Sequence, residues 1–267
     1  MLNNVSKSVD VTASDVANLL QQAESERRQV PPVVDRLGQG NVIAAYQVQA
    51  ELTRRRLAAG ARLVGRKIGL TSAAVQQQLG VNEPDFGALF VDMEIEHGGT
   101  VASNSLIQPR IEAEVALVLD RDLERPDTTM AELMRAVAFA APALEIVDSR
   151  IADWKISIVD TIADNGSSAR FVLGNSIRKL TDVDLQTCGM AMTRNGSVVS
   201  VGSGAACLGH PLKAALWLVR KLAESGDPVR AGDVILTGAL GPMVGASAGD
   251  VYEARISDLG SVKVSFI

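Results

Sequence analysis

The sequence predicts an α+β chain: a mixed, mostly antiparallel sheet, curved or rolled up, with flanking helices and a helical lead-in. Three observations predict it. Helical periodicity is concentrated in the first 60 residues. Beyond Gly60, short β-prone runs alternate with glycine-rich turns. Those runs outnumber the helical segments and no regular crossovers separate them, which argues against a doubly wound sheet.

Taken in order, residues 14–28 form the first amphipathic segment. Val16, Leu19, Leu20 and Ala23 follow one helical face, with Ser14 as its cap. Pro31-Pro32 breaks the chain. A second helix is expected from Asn41 to Ala59, with Ala44, Val48 and Leu52 as its stripe and Gly60 as its stop. Arg54, Arg55 and Arg56 then sit at the negative end of its dipole. Residues 1–60 thus read as a helical lead-in and 61–267 as the main domain. Within the latter, IEAEVALVL (111–119) is a strand. Thr129 to Glu132 is a capping box opening a helix in which Met130, Leu133, Met134 and Val137 share a face. Asn195-Gly196 marks a hairpin. His210-Pro211 opens a helix with Leu212, Ala215, Leu216, Val219 and Leu222 inward, closing near Gly226. The last forty residues read as β meanders turning at Gly232, Gly249 and Gly260.

Bulk properties exclude several functions. With 267 residues, a net charge of −5 and no long basic run, the chain is a poor partner for nucleic acid or an anionic membrane. An anionic small substrate remains compatible, because a metal can supply local positive charge. Cys188 and Cys207 make neither a disulfide framework nor a C-x-x-C zinc pair and read as packed small residues. The N-terminal MLNNVSKSVDVTASD lacks the apolar core of a signal peptide, and no apolar run approaches a membrane span. A cytoplasmic protein is expected.

The chemistry is concentrated in acids. On a strand, Arg110, Glu112 and Glu114 share one face, continued by Ala116 and Val118; Ile111, Ala113, Val115 and Leu117 line the other. A strand apolar on both faces is buried on both. Carboxylates at its buried end need compensation. Arg110 is one source, in an ordinary ion pair. A divalent cation is the other, with Glu145 in ALEIVDSR as a third ligand. Carboxylate-only ligation favours magnesium or manganese over zinc.

Seven segments in order carry a resemblance: GRKIGLTS (65–72), PDFGALF (84–90), QPRIEAEVALVL (108–119), PALEIVDSRI (142–151), DTIADN (160–165), LGHP (208–211) and GDVILTGALGPM (232–243). Together they resemble the 2-keto-4-pentenoate (2-hydroxypenta-2,4-dienoate) hydratases of the fumarylacetoacetate hydrolase superfamily. The resemblance implies a β-roll with flanking helices, and magnesium or manganese held by Glu112, Glu114 and Glu145. It also implies a small 2-oxo or 2-hydroxydienoic acid that chelates the metal, in the meta-cleavage degradation of aromatic compounds. A homo-oligomer is implied as well, and association with a neighbouring decarboxylase or aldolase is compatible with it.

Hydration needs proton traffic outside the ligand set. Lys67 is the first candidate: Val64, Ile68 and Leu70 flank it, so a buried stem and a lowered pKa are expected. Its alternative is a counter-ion to the acids. Asp85 is the second candidate, to hold or activate water; its alternative is a turn residue after Pro84. Gly238 and its neighbours in the LTGALGP loop are expected to reach the substrate carboxylate. Leu70, Asp164, Ser168 and Thr237 complete the expected substrate contacts. His210 reads better as a helix cap than as a base, and His97 as a turn residue. Three rival functions are weighed: 4-oxalocrotonate decarboxylation with the same metal, acylpyruvate C–C hydrolysis, and a non-catalytic binding subunit. No Glu-His pair near the lead-in supports the hydrolysis.

Overall fold

A computed structural model describes residues 12–73, 76–77 and 81–267. Residues 1–11, which include most of the segment read against a signal peptide, lie outside them.

The lead-in is helical. Helix α1 (Ala13–Glu26) is capped by Thr12, not Ser14. Asp15 stands at the third helical position, so the Thr12 hydroxyl accepts from Asp15 N while the Asp15 carboxylate accepts from Thr12 N. Val16, Ala17, Leu20 and Ala23 are buried. A short α2 (Val34–Leu37) follows, then α3 (Val42–Ala58), capped by Asn41 as expected. The arginines at its end are engaged laterally: Arg54 and Arg55 pair with Glu51, and Arg56 reaches Asp92 while lying over the Phe90 ring. The three helices share a buried cluster with Ile151 and with Val159, Ile162 and Ala163 of helix α5 (Ile158–Ala163).

Two sheets make up the rest. The larger has the order β2-β1-β10-β5-β6-β7-β3, with β11 beside β5. Its strands are β1 (Leu63–Gly69), β2 (Asp85–Phe90), β3 (Glu94–Ile95), β5 (Arg110–Leu119), β6 (Val137–Val147), β7 (Ser168–Leu173), β10 (Val234–Ala239) and β11 (Val244–Gly245). Within this sheet, among the described residues, only β1–β10 and β3–β7 pair in parallel. The smaller sheet runs β4-β13-β12-β8-β9, built from β4 (Thr100–Val101), β8 (Gly189–Arg194), β9 (Ser197–Ser203), β12 (Val251–Ile256) and β13 (Gly260–Phe266). The expected mixed, mostly antiparallel sheet is present.

The large sheet is rolled. Phe90 near one edge and Phe171 near the other belong to one buried cluster with Ala116, Ala143 and Leu236, which lines the inside of the roll. Ile111, Ala113, Val115 and Leu117 face the opposite way, into the main core shared with the second sheet and the helix α6 (Pro211–Glu224). Both faces of β5 are therefore buried, as its pattern predicts.

Three expectations need correction. The helix opened by Thr129 is only α4 (Met130–Ala136); Val137 already begins β6, and Met134 is exposed because two turns cannot wrap it onto the core. In α6, Leu216 is half-buried, while Ala214 and Leu218 complete the inward face. The last forty residues are not one meander: β10 inserts into the large sheet, and only β12 and β13 join the small one. The Asn195-Gly196 hairpin holds, with both residues at positive φ (52° and 84°) between β8 and β9.

Candidate metal centre and active-site cavity

Register brings the acids together. Glu112 and Glu145 are directly opposed across β5 and β6, and Glu114 follows on the same inner face. One carboxylate oxygen from each lies within 4.8 Å of the others. Glu114 and Glu145 are fully buried, and Glu114 Oε1 and Glu145 Oε1 have no hydrogen-bond partner. Burial, then repulsion from Glu145, pushes Glu112 up to about 7 and Glu114 well above the ordinary carboxylate range. Burial also raises Glu145, against the pull of Lys67. Orphaned carboxylate oxygens this close are costly without a cation, and an all-oxygen set suits a hard divalent one. The residues present therefore fit such an ion. Arg110 is not their partner: it lies over the Trp154 ring, 4.5 Å from its centre.

Lys67 points into the same space from β1, its Nζ 3.2 Å from Glu145 Oε2. Its stem is buried as expected, but the expected lowering of its pKa is wrong. Burial acts downward, yet Glu145, Asp85, Glu112 and Glu114 together outweigh it and hold the ammonium charged. Asp85 is the first residue of β2, not a turn residue. Its Oδ1 is buried without a partner and closes on Gly69, where a Cβ would collide with it and stand 3.3 Å from Lys67 Nζ.

The expected substrate contacts fare differently. Leu70 lines the cavity in a left-handed conformation (φ 56°). Gly238 does not; its N–H donates to Glu114 Oε2 at 2.6 Å, so it holds one of the three clustered acids rather than a substrate carboxylate. A side chain there would collide with Thr71. Thr237 turns away, donating from its hydroxyl to the Val115 carbonyl. Both consequences follow from an irregular register between Leu236 and Ala239. Asp164 is committed to Arg150 in a buried ion pair and lies outside the cavity; burial still lifts it to about 6 against the pull of Arg150. The buried Ser168 hydroxyl stands by Glu145 and favours its charged form. His210 caps α6, its Nδ1 accepting from Leu212 N, and His97 does not line the cavity.

The cavity measures about 510 Å³, with Lys67, Asp85 and Glu112 in its wall. Sequence reading missed much of its wall. Trp154, Ile156, Val201 and Met243 give it apolar surface, and Gly166 and Ser167 line it as well. Val201 comes from the second sheet, and no periodicity announces that. Their backbone is unusual: Asn165, Gly166 and Ser167 all have positive φ (57°, 60° and 54°). Left-handed backbone costs a residue such as Ser roughly 1–2 kcal/mol, so surrounding contacts must enforce it.

The family model described as fumarylacetoacetate (FAA) hydrolase C-terminal matches residues 64–267. A 2-keto-4-pentenoate hydratase 1 from Dechloromonas aromatica is 53% identical over 250 residues, covering 94% of this chain and 95% of its own. A TodF product hydratase from Pseudomonas putida is also 53% identical, over 94% of this chain and 93% of its own. Among solved structures, 4-oxalocrotonate decarboxylase from Pseudomonas putida G7, complexed with magnesium and adipate, superposes with a TM-score of 0.92. It is 37% identical, over 96% of this chain and 97% of that one.

Proposed function

This chain belongs to the fumarylacetoacetate hydrolase family, and we propose that it is a divalent-metal-dependent hydratase of 2-hydroxypenta-2,4-dienoate. Its product is 4-hydroxy-2-oxopentanoate, a step in the meta-cleavage degradation of aromatic compounds. The observation that carries the reading is the convergence of Glu112, Glu114 and Glu145 on one orphaned cluster beside Lys67 and Asp85.

Magnesium or manganese, when bound by the three acids, supplies Lewis-acid polarisation of the substrate's 2-oxygen and an anchor for its 1-carboxylate. The protein's own groups handle the protons. The dienol ketonises by losing its 2-hydroxyl proton and gaining one at C5. Water then adds to C4 and a proton to C3. Lys67, held charged, is the donor to carbon. Asp85, with its buried unpartnered Oδ1, is the acceptor, from the 2-hydroxyl in the first stage and from water in the second. Both border Gly69, so the proton taken by Asp85 can return to Lys67 and close the cycle.

The apolar part of the cavity wall supports a hydrocarbon tail. Lys67 is the one cationic residue in the cavity wall among the described residues, and it is engaged by the acids. Trp154, Ile156, Val201 and Met243 offer a hydrocarbon tail apolar surface and supply no charged group of their own to a second carboxylate such as that of 4-oxalocrotonate. Decarboxylation is the second reading, because the same acids serve a chelating 2-oxo acid in either reaction. Product identification separates them. Dienoate supplied with magnesium should lose its dienol absorbance and yield only the hydrated acid. Stoichiometric carbon dioxide from 4-oxalocrotonate, with the dienoate untouched, would overturn the reading.

A further inference from the structure

We propose that the left-handed turn Asn165-Gly166-Ser167 is a positioning device for Lys67, fixing where its ammonium stands between Glu145 and Asp85. The proposal rests on the reading of Lys67 as proton donor. A lysine stem has four flexible carbons, and an ammonium facing several carboxylates can settle against any of them. Something must select one position.

The turn does so by closing over the lysine stem. Lys67 on β1 pairs across the sheet with Gly87 on β2. A Cβ at Gly87 would collide with the Asn165 carbonyl oxygen, so this glycine lets the turn approach. The Asn165 side chain then fastens to the next residue of β2: Oδ1 accepts from Ala88 N at 2.7 Å and Nδ2 donates to Ala88 O at 3.0 Å. That seats Gly166 on the lysine stem, where a Cβ would stand 3.1 Å from Lys67 Cδ and 3.4 Å from Cε. The other end is pinned as well. Asp148 N donates to Ser167 O at 2.7 Å, and Ser167 N donates to Asp164 O at 3.0 Å. Asp164 is held in turn by Arg150. Two independent anchorages thus maintain a strained segment that lies so close over the lysine stem that even a Cβ at Gly166 would crowd it.

The test is Gly166→Ala in the full-length, magnesium-loaded protein. Gly40→Ala is its control: Gly40 has a similar φ (+67° against +60°) but nothing within 4 Å, so it carries backbone strain without touching Lys67. Gly166→Ala should lower kcat at least tenfold, with KM and calorimetric magnesium affinity within about threefold of the parent. Gly40→Ala should lose comparable thermal stability and keep its kcat. Parental kcat in folded Gly166→Ala would overturn the proposal, as would a loss that merely tracks the folded fraction. If Gly166→Ala fails to fold, Asn165→Gly carries the same expectation, since it keeps the left-handed backbone and removes only the tie to Ala88. Lys67→Met separates the two claims. If it is inactive while Gly166→Ala is normal, positioning alone fails; if it retains full kcat, the role of Lys67 fails.

Discussion

Replacing Glu114 by Gln should move stability in opposite directions with and without metal. In the metal-free protein, Glu114 is fully buried among like charges. At 4.8 Å and an effective dielectric near 20, each ionised pair repels by about 3.5 kcal/mol. Protonation caps that cost. Holding a carboxyl of ordinary pKa 4.5 protonated near pH 7.5 costs about 4 kcal/mol. Gln removes this penalty and keeps an acceptor for the Gly238 N–H, so a net gain of about 2 kcal/mol is expected after partial offset by Lys67. For a chain of this size that is a rise in Tm of roughly 4–8 °C. The sign with pH follows from the raised carboxyl. Its favourable contribution is complete below about pH 4.5 and drains away as pH rises, so the advantage of Gln should vanish near pH 5 and grow toward pH 8. With metal the order reverses, because one of three anionic ligands is lost. The assay is thermal unfolding of both proteins, chelated and magnesium-saturated, from about pH 5 to 8. A chelated variant less stable than the parent, still showing the parental magnesium-induced shift, would refute the reasoning.

Three further outcomes follow from the same contacts. Asp164→Ala strands the buried Arg150 guanidinium and should cost about 3–5 kcal/mol in denaturant unfolding; a loss below about 1 kcal/mol would mean Arg150 finds water. His210→Ala removes the acceptor for Leu212 N and should cost about 1 kcal/mol without changing kcat, whereas a catalytic histidine would abolish turnover. Magnesium affinity should weaken as pH falls through about 7, where Glu112 takes up its proton in the metal-free site, and calorimetry in two buffers of different ionisation heat should detect proton release on binding; pH-independent affinity would contradict the ligand assignment.

How much of this was legible in the sequence depends on the range of the interaction. Glu112 and Glu114 are two apart on one strand, so period-two alternation places them together without any fold. Lys67 within an apolar run reads correctly as buried. Its pKa does not, because the direction depends on four acids from three other strands. Glu145 was identifiable as an acid embedded in an apolar run, but only register sets it opposite Glu112. Thr237 and Gly238 were placed in the right loop with the wrong partners, since a one-residue irregularity decides which group faces Glu114. Asp164 fell to a competitor, Arg150, fourteen residues earlier in the chain. Val201 was invisible as a wall residue because it arrives from the second sheet.

The central claim is that the three acids hold the ion on which hydration depends. The most direct test is to titrate magnesium back into chelator-treated protein while following loss of the dienol absorbance. Turnover should be negligible without metal, rise to saturation with bound magnesium, and be lost in Glu114→Gln and Glu145→Gln. Full turnover by the chelated protein, or parental turnover in either variant, would contradict it.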